Sequence, residues 1–247
     1  MSKSQIKIGV FVPGSAQLLD LACVDVFHMM SKEYLSVIPI LPKHIVDLAP
    51  SIQIFYIASS KTKPMIMLSA ELNIRATHDI RDAEVQPGEL DILLVPGPDP
   101  NAEWEKPILD FLAAHSKCET TDVLSVCTGI FMCGAAGLLG GRTVCGPRGL
   151  QHMIKQKYPT ATLVGEKYRW IQDGNLWSGG GITNGNDLVA AYARASKYFP
   201  SAVVEIACKM ADVGDRDQLY SESQTAFTLG MGIMNDGLSY MLLRVNG

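Results

Sequence analysis

The residue types best suited to chemistry converge on Cys127. The run Asp122-Val123-Leu124-Ser125-Val126-Cys127-Thr128-Gly129 reads as a short buried strand that turns sharply at the thiol and enters a helix. Ile130, Phe131, Met132, Ala135, Ala136 and Leu138 continue it, and the first amides of such a helix point back at the sulfur and favour its thiolate. The layout is that of a nucleophile elbow, written Gly-x-Ser-x-Gly, in which small flanking residues let the backbone bend. Ser125 stands in place of the first glycine and Gly129 keeps the second. The plainer reading is one more buried cysteine, a common fate of free thiols, and the local pattern does not separate the two. Thr128 follows the thiol, so its N–H is placed to stabilise charge developing on a substrate and its hydroxyl to orient that substrate. Its plainer reading is a helix-start threonine without chemistry.

Elements around the elbow are needed to position these groups. Ile6 to Val12 is an apolar strand ending in Pro13-Gly14, followed by Leu18-Leu19-Asp20-Leu21 and a helix over about Leu21 to Met30. Strands are expected at Val37 to Leu41, Gln53 to Ala58 and Asp91 to Val95, with short extended pieces near Ile66 to Leu68 and Leu72 to Ile74. A helix over about Glu103 to His115 leads into the elbow. Beyond it, Gly149 to Lys157 reads helical, Thr162 to Val164 and Tyr168 to Ile171 as strands, and Asp173-Gly174-Asn175 as a hairpin turn. Leu188 to Tyr198 and Ser201 to Ala211 are expected helices. This alternation predicts an α/β fold with a mainly parallel sheet sandwiched by helices. Ligands of such sheets sit at the carboxyl ends of strands, where Pro13-Gly14, Pro96-Gly97 and Cys127 all fall.

The Ile6 to Val12 strand with its Pro-Gly end, the Asp91 to Val95 strand ending in Pro96-Gly97-Pro98, and the Cys127 elbow with Ala135-Ala136-Gly137-Leu138-Leu139-Gly140-Gly141-Arg142 resemble the ThiJ/PfpI superfamily. Within it they resemble the isonitrile hydratase branch, from about Ile6 to Phe199. The resemblance implies a flavodoxin-like domain over residues 1–199, with 200–247 as a helical extension of the same domain. It also implies a homodimer, to which the apolar segment Thr225 to Leu243 adds weak support. In that family a carboxylic acid after the first strand partners the cysteine, and Asp20 is the matching residue. By local pattern alone, Asp20 before an apolar helix is an ordinary N-cap; as a partner of sulfur it would be held protonated by burial and like charge. Asp25 reads as a helix-face carboxylate. Gly97 would supply a second amide beside that of Thr128, since Pro98 has no N–H; the family has a glycine where Pro98 stands.

Histidines are absent where related enzymes carry their base. The segment Ser178 to Asp187 has none, which disfavours amidotransferase chemistry, and Pro147-Arg148 stand where protease-like and glyoxalase-like relatives place theirs. His152 lies one helical turn further, and a full nucleophile, base and orienter triad is not complete in the sequence. A cysteine with only a carboxylic partner suits an electrophile that needs attack and protonation but no departing amine. An isonitrile carbon fits, which makes a cofactor-free, cysteine-dependent lyase the first expectation: hydration of an isonitrile to an N-substituted formamide. Two others stay open: a glyoxalase-like or biosynthetic enzyme on the same elbow, and a non-catalytic protein in which Cys127 is oxidised.

Composition narrows the partners. The chain has 247 residues, 47% of them hydrophobic, and a formal charge of −4. Its lysines and arginines are scattered, so no basic stripe for nucleic acid is expected, and residues 200–247 leave little room for a helix-turn-helix module. Val123 to Gly141 carries no charge, yet its five glycines favour a buried strand-turn-helix over a membrane span. No signal peptide is visible, so a cytoplasmic protein is expected, with its six cysteines reduced. No Cys-x-x-Cys or His-x-x-x-His spacing offers a metal site. Gly179-Gly180-Gly181 lacks the Lys-Ser/Thr sequel of a phosphate loop and reads as a close-packed strand end.

Overall fold

The computed structural model describes residues 3–59 and 65–224. Its strands in chain order are β1 Gln5–Phe11, β2 Ser15–Ala16, β3 Ser51–Ala58, β4 Met65–Leu68, β5 Asn73–Arg75 and β6 His78–Asp79. After them come β7 Ile92–Val95, β8 Asp122–Ser125, β9 Thr143–Val144, β10 Thr162–Leu163, β11 Trp170–Asp173 and β12 Leu176–Gly179. The helices are α1 Ala22–Met29, α2 Lys32–Leu35, α3 Lys43–Val46, α4 Lys106–Ser116, α5 Gly129–Ala135, α6 Gln151–Lys157, α7 Asn184–Ala195 and α8 Ser201–Ala211.

Among the described residues the central sheet has seven strands in the order β11-β12-β8-β7-β1-β3-β6. All pairings in it are parallel except β11 with β12, the hairpin whose turn contains Gly174 at φ 61°. Strands covered on both faces need apolar residues at every position, which is why β7 reads Ile-Leu-Leu-Val without alternation. Successive side chains still part to opposite faces. Ile8, Ile92, Leu94 and Leu124 pack in the core beneath α1, α7 and α8, whereas Leu93, Val95 and Val123 join the core beneath α4 and α5. The mainly parallel sheet between helical layers is therefore as the sequence predicts. Helix α8 buries Val203, Val204, Ala207 and Cys208 in the first of these cores.

Several boundaries depart from expectation. Val37 to Leu41 forms turns and no strand, with Val37 and Ile40 largely exposed; Pro39 and Pro42 interrupt the segment, and each removes a ladder donor. Helix α7 begins four residues before Leu188, because Gly185 packs against Val126 and lets the helix start close to the sheet. The segment Thr225 to Leu243 lies outside the described residues. No helix among those described is long and apolar enough to cross a membrane.

Candidate functional site

Strands β1, β7, β8 and β12 all end at one edge of the sheet, and their connections enclose a cleft of about 570 Å³ with Cys127 and Thr128 on its floor. Met67, Leu68, Leu150 and Ile182 supply apolar wall, and Gly97 lines the cleft beside Thr128. Cys127 adopts φ 56°, a left-handed conformation that costs a residue with a Cβ about 1 kcal/mol or more. Three hydrogen bonds hold it there: Val126 N–H to Val95 O at 2.9 Å, Cys127 N–H to Gly180 O at 3.1 Å, and Gly129 N–H to Val126 O at 2.9 Å. A Cβ on Gly129 would collide with the Val95 carbonyl, which explains the glycine kept at that elbow position.

Asp20 lies in a short 3-10 turn, Leu18–Leu21, and is fully buried. It is not an N-cap. Oδ2 accepts the Gly97 N–H at 2.8 Å across 77 residues of sequence, Oδ1 has no hydrogen-bond partner, and the carboxyl lies near enough to the Cys127 side chain for the two to interact. Burial pushes the carboxyl from 3.8 up to about 7, against the opposing pull of the Gly97 amide and the thiol. The fold thus brings Asp20 and Cys127 together.

Three expectations for this site are corrected. The Cys127 thiol is not acidified: burial, then the Asp20 charge, push its pKa up, and the amides of Ile182 and Thr128 offset this only in part. The helix behind it, α5, has only seven residues, and Cys127 is only 8% exposed. Gly97 does not offer its amide to a substrate, because Asp20 already accepts it. The Thr128 hydroxyl donates to Pro98 O at 2.6 Å, so it braces the Gly97-Pro98 turn and keeps only lone pairs for a ligand.

The Ile182 amide was not foreseen. The Gly179-Gly180-Gly181 run closes β12 as a packed strand end, and the turn that follows also aims Ile182 N–H at the sulfur. The one signal in the sequence was a glycine run directly before a helix. No histidine is among the residues lining the cleft. His152 is exposed and pairs with Gln156 at 2.8 Å; His115 is buried, and desolvation pushes its pKa down to about 4 against the opposing hydrogen bond to Val85 O at 3.0 Å, which leaves it neutral. Asp25 is exposed on α1, and all six cysteines are free. Among the described residues no cluster of three or more His, Cys, Asp or Glu is arranged to hold a metal.

Residues 43–195 match the DJ-1/PfpI family. Over 129 residues, 51% of this chain, the sequence is 35% identical to the isonitrile hydratase of Pseudomonas putida, and the match spans 52% of that relative, about half its length. Among solved structures, a ThiJ/PfpI family protein from Pseudomonas syringae superposes with a TM-score of 0.66 at 21% identity, over 88% of this chain and 77% of that one. DJ-1beta of Drosophila melanogaster gives 0.63 at 14% identity, over 86% and 99%. At such identities the likeness is one of fold. With the sheet order, the elbow and a family match over more than half its length, the chain belongs to the DJ-1/PfpI family.

Proposed function

We propose that this chain is a cofactor-free hydratase of isonitriles in which Cys127 is the nucleophile and Asp20 carries the proton. The observation that carries this reading is the pairing of a thiol on a strained elbow with a buried carboxyl whose pKa of about 7 lets it hold or release a proton near neutrality. The similarity to a protein named isonitrile hydratase supports the choice of electrophile.

In the working state the pair holds one proton. Sulfur attacks the terminal carbon of R–N≡C as the proton passes from the thiol through Asp20 to that same carbon, giving the thioimidate R–N=CH–S–Cys127. Asp20, now a carboxylate, takes a proton from water as its oxygen adds to the thioimidate carbon, and passes that proton to the nitrogen. Collapse of the adduct breaks the C–S bond and releases R–NH–CHO, and the proton returns to the pair. Nothing is oxidised or reduced, and the net reaction adds one water. The Thr128 and Ile182 amides stabilise charge on sulfur, and Gly97 holds the Asp20 carboxyl in place.

The test is formamide production from an alkyl or aryl isonitrile by wild type, Cys127→Ala and Asp20→Asn. Cys127→Ala is expected to abolish turnover, and Asp20→Asn, which keeps the volume but not the transferable proton, to lose roughly a hundredfold or more. Thr128→Val is expected to cost less, since its backbone amide remains. Methylglyoxal turnover should be weak. Efficient methylglyoxal conversion without isonitrile activity would replace this reading with a glyoxalase, and inertness toward both with ready oxidation of Cys127 would leave a redox-sensing role. A homodimer in the cytoplasm remains part of the proposal, carried by the family resemblance.

A further inference from the structure

The segment Arg216 to Gln224 runs beside the residues that precede β11 and binds the turn that follows β12. Arg169 N–H donates to Gln218 O at 2.7 Å and Tyr220 N–H to Lys167 O at 2.9 Å, with a bridge between Tyr168 and Leu219. Arg216 donates to Thr183 O at 2.7 Å and forms an ion pair with the buried Asp187 of α7. Tyr220 is the centre of this contact. The guanidinium carbons of Arg148 and Arg169 lie 4.0 and 4.4 Å from its ring centroid, and its hydroxyl accepts the Asn184 Nδ2–H at 2.6 Å.

These contacts lead to the thiol by short steps. Arg169 is 7% exposed, and its carbonyl accepts the Gly180 N–H at 2.7 Å. The Gly180 carbonyl in turn accepts the Cys127 N–H at 3.1 Å. A Cβ on Gly180 would lie 2.8 Å from the Tyr220 hydroxyl and 3.0 Å from Asn184 Nδ2, so the turn is pressed directly against the tyrosine. Neither Arg169 nor Tyr220 is among the residues lining the cleft.

We infer that Arg216 to Gln224 is a strap that fixes the Gly180 to Ile182 turn against Cys127, with Tyr220 as its positioning residue. This rests on Cys127 being the nucleophile. A left-handed cysteine is kept only where its surroundings over-determine it, and the strap supplies the outer part of that constraint: it holds Gly180 O on the Cys127 amide and Ile182 N–H on the sulfur. Without it the turn relaxes, and the sulfur loses a donor that stabilises its ionised form.

The experiment follows iodoacetamide alkylation of Cys127 across pH, with peptide mapping, in full-length wild type, Tyr220→Phe and Tyr220→Ala, alongside thermal midpoints and isonitrile kinetics. Tyr220→Ala is expected to move the alkylation midpoint to higher pH and to slow labelling at pH 8 roughly tenfold, the size of one hydrogen bond to a charged acceptor. Its kcat should fall with KM little changed, because the strap does not touch the cleft. Tyr220→Phe keeps the ring against both guanidiniums and loses only the hydroxyl, so it should fall between the two. An unchanged or lower midpoint, or faster labelling, overturns the strap as a positioning device, even if the thermal midpoint drops. If Tyr220→Ala lacks a cooperative unfolding transition, Tyr220→Phe decides by the same shift. Wild-type protein in which another cysteine is labelled first, without isonitrile turnover, overturns the nucleophile assignment and the strap's catalytic role with it, a result distinct from equal labelling of wild type and variants.

Discussion

At the scale of single residues, Asp20 and Cys127 titrate as a pair. The first proton leaves near the Asp20 value of about 7, and the second only above the ordinary thiol range, so the one-proton state occupies the interval between. The proposed kcat/KM should therefore rise through about pH 7 and hold a plateau beyond the pH at which a free cysteine ionises, as measured from initial rates across pH. Stability has the opposite slope. A carboxyl raised from 3.8 to about 7 favours the fold below pH 3.8, and that contribution is lost as pH rises through 7, by roughly 4 kcal/mol at most. Asp20→Asn should accordingly gain little in thermal midpoint at pH 4 and clearly more at pH 8. Cys127 and Asp20 were both legible in the sequence, the first from its elbow and the second from a family resemblance that overrode its N-cap pattern. The consumption of the Gly97 amide was not, because a backbone donor's partner 77 residues away leaves no mark on local spacing.

At the scale of elements, the site depends on strand ends that approach too closely for side chains. A Cβ on Gly97 would collide with both Asp20 Oδ2 and Thr128 Oγ1. Gly97→Ala is expected to separate the carboxyl from the thiol and reduce isonitrile turnover at least tenfold, by the loss of an oriented proton carrier, and a steady-state assay beside a thermal scan checks it. The fully buried Leu94 of β7 marks the purely structural case: Leu94→Ala should cost about 2–5 kcal/mol in denaturant unfolding. Helix α8 and strands β1, β3, β7 and β8 were readable because period and length agree with their burial. The apolar run Val37 to Leu41 misled because hydrophobicity was visible while the missing amides of Pro39 and Pro42 decided the outcome. The strap around Tyr220 had no periodic pattern to betray it; only tertiary contacts reveal its role.

At the scale of the whole molecule, sedimentation at micromolar concentration is expected to show about twice the chain mass of 26.8 kDa, as the family resemblance implies; a species at the chain mass would remove the dimer from the proposal. The order of the sheet has a consequence for how the protein is made. Among the described strands β1 comes earliest in the chain yet lies near the middle of the sheet, between β3 and β7, and the cleft is lined from the ends of β7, β8 and β12. Such distant pairings form slowly, after much of the chain has emerged from the ribosome. The nascent chain thus carries Cys127 before Ile182, which lines the cleft beside it, has been synthesised. During that interval the sulfur has the acidity of any free thiol, so its greatest exposure to oxidants falls in biosynthesis, before the finished fold has buried it.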